Sequence, residues 1–205
     1  MGESVGVAER TRVRSSKTHQ RDGTGVGSSR RARLASIAFG AAAMSAIVAG
    51  SLPVPATLTI VAMVPAAMID AGERRLPNEL VAAATLVLAV AVSISWALGG
   101  SVRPASMAVG AGAMAAPILL VHLWSPRSMG FGDVKAALVL GAAVGSVAWQ
   151  LGLLALCVAA GIGAGVGLAR RARTIAFGPY LVAGAGVAVI GSELGLGNLL
   201  SGPGS

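Results

Sequence analysis

Residues 80–98 read LVAAATLVLAVAVSISWAL, nineteen positions without one charged side chain. A helix of that length spans about 28 Å, close to the roughly 30 Å hydrocarbon core of a bilayer. Further apolar stretches occupy Leu34–Gly50, Leu52–Ile69, Pro104–Trp124, Val134–Ala148, Leu151–Ala169 and Phe177–Gly191, those from Val134 and Phe177 being short. The chain of 205 residues is 55% hydrophobic and only 12% charged, against roughly 25% charged in soluble domains. So few charges, many of them in one tail, cannot coat a soluble globule, and so much apolar sequence excludes a disordered chain. A single cysteine excludes a disulfide scaffold and a cysteine-built zinc site. Composition therefore predicts an all-α, polytopic membrane helix bundle of about seven transmembrane helices.

The charges orient it. Of 16 Lys and Arg, eight precede Leu34. Residues 1–33, rich in Gly, Ser and Arg and without apolar periodicity, read as a disordered cytoplasmic tail. Residues 34–193 form the transmembrane domain and 194–205 a short C-terminal tail. With the first tail inside, Arg74, Arg75, Arg127, Lys135, Arg170, Arg171 and Arg173 are inside too, and Arg103 alone is outside. The N-terminus is thus expected in the cytoplasm and the C-terminus outside, in a multi-pass protein of the cell membrane. Retention of cytoplasmic loops explains the +8 net charge, so no nucleic-acid partner is expected. Ser29-Arg30-Arg31 before an apolar run suggests an export signal, but several further spans follow, and Leu34–Gly50 reads as a retained first helix. Trp96, Trp124 and Trp149 lie near span ends, where amphipathic rings favour the interface. Gly110, Gly112, Gly161, Gly163, Gly165 and Gly167 suit close helix packing.

Acidic residues are scarce, and only Asp70 and Asp133 sit directly where an apolar span meets an inside loop. Spans three and four go out and return, so both acids reach the same membrane face although distant in sequence. A carboxylate at the edge of hydrocarbon is a functional candidate. Asp70, ending a span, also faces the negative end of a helix dipole; its plain alternative is a solvated acid neutralised by Arg74 or Arg75. Asp133 has the plain alternative of a helix N-cap. Its setting is unusual, however: in Met129-Gly130-Phe131-Gly132-Asp133-Val134-Lys135 two glycines bracket a bulky apolar residue, and glycine admits a second chain close to the backbone.

Gly130-Phe131-Gly132-Asp133 matches the GxGD pattern of intramembrane aspartic peptidases. Asp70, then Arg75-Leu76-Pro77-Asn78, then Gly130–Lys135, then Phe177-Gly178-Pro179 together resemble the type IV prepilin peptidases, including short forms serving Flp-type pili. The resemblance covers about residues 60–190. It implies a six-helix peptidase core, here preceded by one N-terminal helix and the Arg-rich tail, for which that core has no counterpart. It implies Asp70 and Asp133 as the catalytic pair. Gly130, Phe131, Gly132, Lys135, Pro77, Asn78, Phe177, Gly178 and Pro179 are implied as motif or substrate-positioning residues. The implied substrate is a prepilin with a basic leader and an apolar helix, cut at the cytoplasmic face, the lipid bilayer being the other partner. Larger members add a cysteine-rich segment and N-methylate the new terminus. This chain has only Cys157, expected as an inert buried thiol, so cleavage without methylation is expected. The expected chemistry, in which two close carboxylates share a proton and activate water, needs no cofactor and no metal.

Two other classes use the same residues. In a small ion- or proton-coupled transporter, Asp70 and Asp133 would carry ions, although such groups are expected near mid-membrane. A non-catalytic pilus or secretion assembly subunit would keep the fold alone. His122 has no second ligand at metal-binding spacing and reads as an interfacial polar residue; Lys135 either tunes the pair or extends to the interface.

Overall fold

The computed structural model describes residues 50, 53–73, 76–125, 129–171 and 176–195. The expected tail 1–33, nearly all of the expected span Leu34–Gly50, residues 196–205, and Arg74, Arg75, Arg127 and Arg173 lie outside the described residues. Among the described residues the secondary structure is all-helical: α1 Val54–Glu73, α2 Asn78–Ala97, α3 Pro104–Trp124, α4 Phe131–Gly145, α5 Gln150–Arg170 and α6 Gly178–Glu193. Helices α1, α2, α3 and α5 are long and apolar enough to cross a membrane, which makes this a multi-pass membrane protein. Proline starts two helices where a missing N–H costs nothing: Pro104 opens α3, and Pro179 is second in α6.

Helix α4 is short, at 15 residues, and it is the centre of the bundle. It packs against each of the other five helices. Asp133, Val134, Ala136, Ala137, Val139, Leu140, Gly141, Ala143, Val144 and Gly145 are all buried along it. Surrounded by protein rather than lipid, it need not match the hydrocarbon thickness that sets the length of an exposed span.

Backbones meet directly where α3, α4 and α5 converge. A Cβ on Gly110 would fall 2.7 Å from the Gly141 carbonyl oxygen and 2.8 Å from Gly145 Cα. One on Gly152 would fall 2.6 Å from the Gly110 carbonyl oxygen. Between α5 and α6, a Cβ on Gly184 would strike the carbonyl oxygen of Ala155. Lipid tails are as apolar as leucine, so close packing of this kind is a main source of helix association in a bilayer. The packing explanation fails at Gly112, Gly161 and Gly165, where no described residue lies within 4 Å of the added atom. Cys157 is likewise exposed rather than buried. Leu151, Ala155 and Ala159, four residues apart, form the buried stripe of α5, and Cys157 falls off that stripe.

Helix ends differ from the apolar limits in an instructive way. Helix α1 runs on to Glu73, past the expected limit at Ile69, and α4 begins at Phe131, three residues ahead of Val134. Hydropathy marks where hydrocarbon ends, whereas i→i−4 bonding continues through polar residues. Asp70 therefore lies within the last turn of α1. Asp133 is the third residue of α4 and not its N-cap, a position taken by Gly130, whose carbonyl accepts the Asp133 N–H at 3.1 Å.

Candidate active site

The end of α1 and the start of α6 meet through one hydrogen bond. The Gly178 N–H donates to Asp70 Oδ2 at 3.0 Å in a buried setting. In the first turn of α6, Pro179 has no N–H, and those of Tyr180 and Leu181 donate to the Phe177 carbonyl. Gly178 thus supplies the free donor that a helix N-terminus offers to an anion. A carboxylate at the C-terminal end of its own helix is opposed by that helix's dipole, at a cost of about 0.3–1 kcal/mol when exposed. The positive end of α6 offsets this. Only glycine permits the approach, because a Cβ at 178 would sit 2.7 Å from Asp70 Oδ2. Phe177 fixes this corner, as its ring lies 3.4 Å from where a Cβ would stand on Gly163 of α5 and 6.5 Å from the Tyr180 ring.

Asp70 and Asp133 are both buried, 5% and 9% exposed. Asp133, ahead of the apolar run that opens at Val134, is pushed up to about 6 by burial first and by the charge of Asp70 second; the backbone N–H of Gly130 opposes this. Two acids remote in sequence therefore lie at one end of the bundle, near enough for the charge of Asp70 to bear on Asp133. The plain reading of Asp70 as a solvated loop acid does not hold.

The remaining motif residues brace this end. Leu76 packs onto Gly132, where a Cβ would lie 3.1 Å from that of Leu76. Pro77 is the N-cap of α2, its carbonyl accepting from the N–H groups of Leu80 and Val81. Lys135 Nζ donates to Asn78 Oδ1 at 3.1 Å and stands 5.3 Å from the centroid of the Phe131 ring, within cation–π range. The ammonium thus ties the start of α2 to the first turn of α4. His122 joins the same group: its Nδ1 is 2.7 Å from the Met129 carbonyl oxygen and its ring 5.7 Å from that of Phe131. Leu76 and Met129 stand within the motif segments of the sequence but carry no site role there, and His122 reads there as an interfacial polar residue. Spacing does not show what each of them does, since each acts through a tertiary contact. Among the described residues no group of three or more His, Cys, Asp and Glu stands together as a metal cage.

An apolar groove of about 480 Å³ lies between α1 and α6, lined among others by Val64, Ala67, Ala71, Pro179, Gly186 and Ile190. Ala67 and Ala71 flank Asp70 on α1, and Pro179 follows Gly178, so the groove opens beside the Asp70–Gly178 bond. From there it extends on the order of 10 Å along α1 and 16 Å along α6.

Neither the curated proteins nor the solved structures give a match. A model of the type IV leader peptidase family matches residues 57–168. That stretch holds Asp70, the Leu76–Asn78 segment and Gly130–Lys135, and ends before Phe177-Gly178-Pro179. With more than half its length matched, and with those segments gathered at one end of a helical bundle, the chain belongs to the type IV leader peptidase family.

Proposed function

We propose that the protein is a membrane-embedded aspartic endopeptidase that removes the leader of type IV or Flp-type prepilins at the cytoplasmic membrane face. The observation that carries this reading is the burial of Asp70 and Asp133 at one end of the bundle, close enough for the charge of one to act on the other. Two such carboxylates share one proton more readily than both ionise. The ionised member takes a proton from water, whose oxygen attacks the scissile carbonyl carbon. The protonated member gives its proton to the carbonyl oxygen. The tetrahedral intermediate then breaks its C–N bond as a proton passes to the leaving amine. Gly130, Phe131, Gly132, Lys135, Pro77 and Asn78 hold Asp133 at its place, and Phe177, Gly178 and Pro179 hold Asp70. In this reading the chain crosses the membrane seven times, N-terminus inside and C-terminus outside, and the acids lie at the inner border. Such placement suits hydrolysis at the membrane face better than transport through mid-membrane. The chain cleaves without N-methylating.

The substrate presents a basic leader on the cytoplasmic side and an apolar helix on the membrane side. The groove between α1 and α6 supports this, because it leads away from Asp70 into the bilayer and is walled by apolar side chains. Gly186 lines the groove and has no described residue within 4 Å of an added Cβ, so a side chain can start into it there, and Gly186→Leu is the substitution that narrows it. It is expected to raise KM about tenfold for full-length prepilin, the size of burying one large apolar side chain. A short peptide that keeps the leader, the scissile bond and a few residues beyond it but lacks most of the apolar helix should be cut as before. Equal effects on both substrates would remove the groove from the reading.

Purified protein in vesicles, mixed with a Flp-type prepilin, should release the leader at a single bond, as read by mass spectrometry of both products. If the shared proton is essential, kcat/KM should fall as pH rises through about 6, the value at which Asp133 beside a charged Asp70 gives that proton up. A kcat/KM that climbs from pH 6 to pH 8 would contradict the monoprotonated pair.

A further inference from the structure

His122 lies at the C-terminal end of α3, outside every motif so far given a role. Its Nδ1 is 2.7 Å from the Met129 carbonyl oxygen. A carbonyl only accepts, so Nδ1 carries the proton and donates. That carbonyl belongs to the same peptide unit as the Gly130 N–H. The unit is planar and trans, so its C=O and N–H point in opposite directions. The N–H side serves the carboxylate of Asp133, and a Cβ on Gly130 would lie 3.7 Å from Asp133 Oδ2. Gly130 is the N-cap of α4 and Asp133 its third helical residue, the spacing at which a capping box sets a side chain against the N-cap N–H. One rigid plate is therefore held at its oxygen by His122 and borders Asp133 on its other side. Hydrogen bonds in series also polarise one another, so the imidazole strengthens the donor that Asp133 receives. The base of the latch is firm, because α3 and α4 touch backbone to backbone at Gly110, Gly141 and Gly145.

We infer that His122 is a positioning residue for Asp133, acting through the Met129–Gly130 peptide; the inference rests on the proposed peptidase reading. His122 touches neither substrate nor the reacting atoms. Its donor nitrogen matters for hydrolysis, and its ring contact with Phe131 does not carry the effect.

Two substitutions separate donor from ring. His122→Phe keeps an aromatic ring against Phe131 and loses the donor; His122→Asn loses the ring and keeps a donor at the position of Nδ1. With a co-expressed Flp-type prepilin, and then with protein in vesicles, His122→Phe should lower kcat about five- to tenfold, the size of one net hydrogen bond, with KM unchanged. Its high-pH limb should move to higher pH, because a weakened bond to the charged carboxylate favours the protonated form. His122→Asn should restore both the rate and the limb. Wild-type kcat and an unmoved limb in His122→Phe would overturn the latch. So would a normally accumulating His122→Asn that cuts as slowly as His122→Phe. Asp70→Asn, run alongside, keeps the two failures apart. If it is silent while His122→Phe is normal, only the latch falls; if it cuts normally, the peptidase reading falls and the latch with it.

Discussion

Asp133→Asn and Asp70→Asn, each alone, should leave a protein that accumulates normally in the membrane and no longer processes a co-expressed prepilin. Asparagine has the shape of aspartate and cannot ionise. At position 133 it removes a buried carboxylate held up by desolvation and by the charge of Asp70, so the folded protein loses an unfavourable term. At position 70 the side-chain oxygen can still accept from Gly178 at the site of the 3.0 Å bond. Neither change harms packing, yet each removes one half of the proposed acid–base pair. General acid–base groups commonly contribute on the order of 10²–10⁴-fold in rate, enough to leave prepilin uncut over the time of an expression assay. Immunoblotting for both proteins, with the prepilin read by its shift in size, checks the result. Full processing by both single mutants would end the dyad proposal.

The second large effect comes from a residue with no side chain. Gly178→Ala adds a methyl group 2.7 Å from Asp70 Oδ2 and 3.3 Å from its Cγ. Something must move, and Asp70 is too buried to swing freely into water. Either the carboxylate turns away from the N–H or the start of α6 withdraws from α1, and both displace the acid. A shift near 1 Å at a reacting group can cost roughly a hundredfold in rate, so kcat should fall by about that factor. Gly163→Ala is the comparison: the nearest atoms to its added methyl belong to the rings of Phe177 and Tyr180, at 3.4 Å, an ordinary contact. Equal rates for Gly178→Ala and Gly163→Ala would show that the approach of Gly178 to Asp70 has no catalytic consequence.

The sequence made the helical, multi-pass membrane character plain, because stretches such as residues 80–98 admit no other environment, and among the described residues four of the expected seven spans are helices long and apolar enough to cross. It also pointed to both acids and to the three motif segments that surround them, since a charge at the rim of an apolar span has few innocent explanations. What it could not give was partnership. That Asp70 is held by a backbone N–H more than a hundred residues away, or that Leu76 fills the space over Gly132, depends on which helices adjoin. Hydropathy is silent on that. It also misplaced Cys157, because a nearly uniform apolar helix shows no stripe to tell its lipid side from its packed side. The same uniformity hid which glycines are contact points: Gly110 and Gly163 touch neighbours, while Gly161 and Gly165 do not.

Gly110 meets Gly141 and Gly145 on one neighbour and Gly152 on another, so a single hydrogen atom is the spacer that sets two interhelical distances at once. One of those neighbours, α4, carries Asp133. The seat of α4, and with it that of Asp133, is thus gauged in part by a thickness chosen midway along the bundle, and an enlargement there would push as a lever on the end that carries the acids.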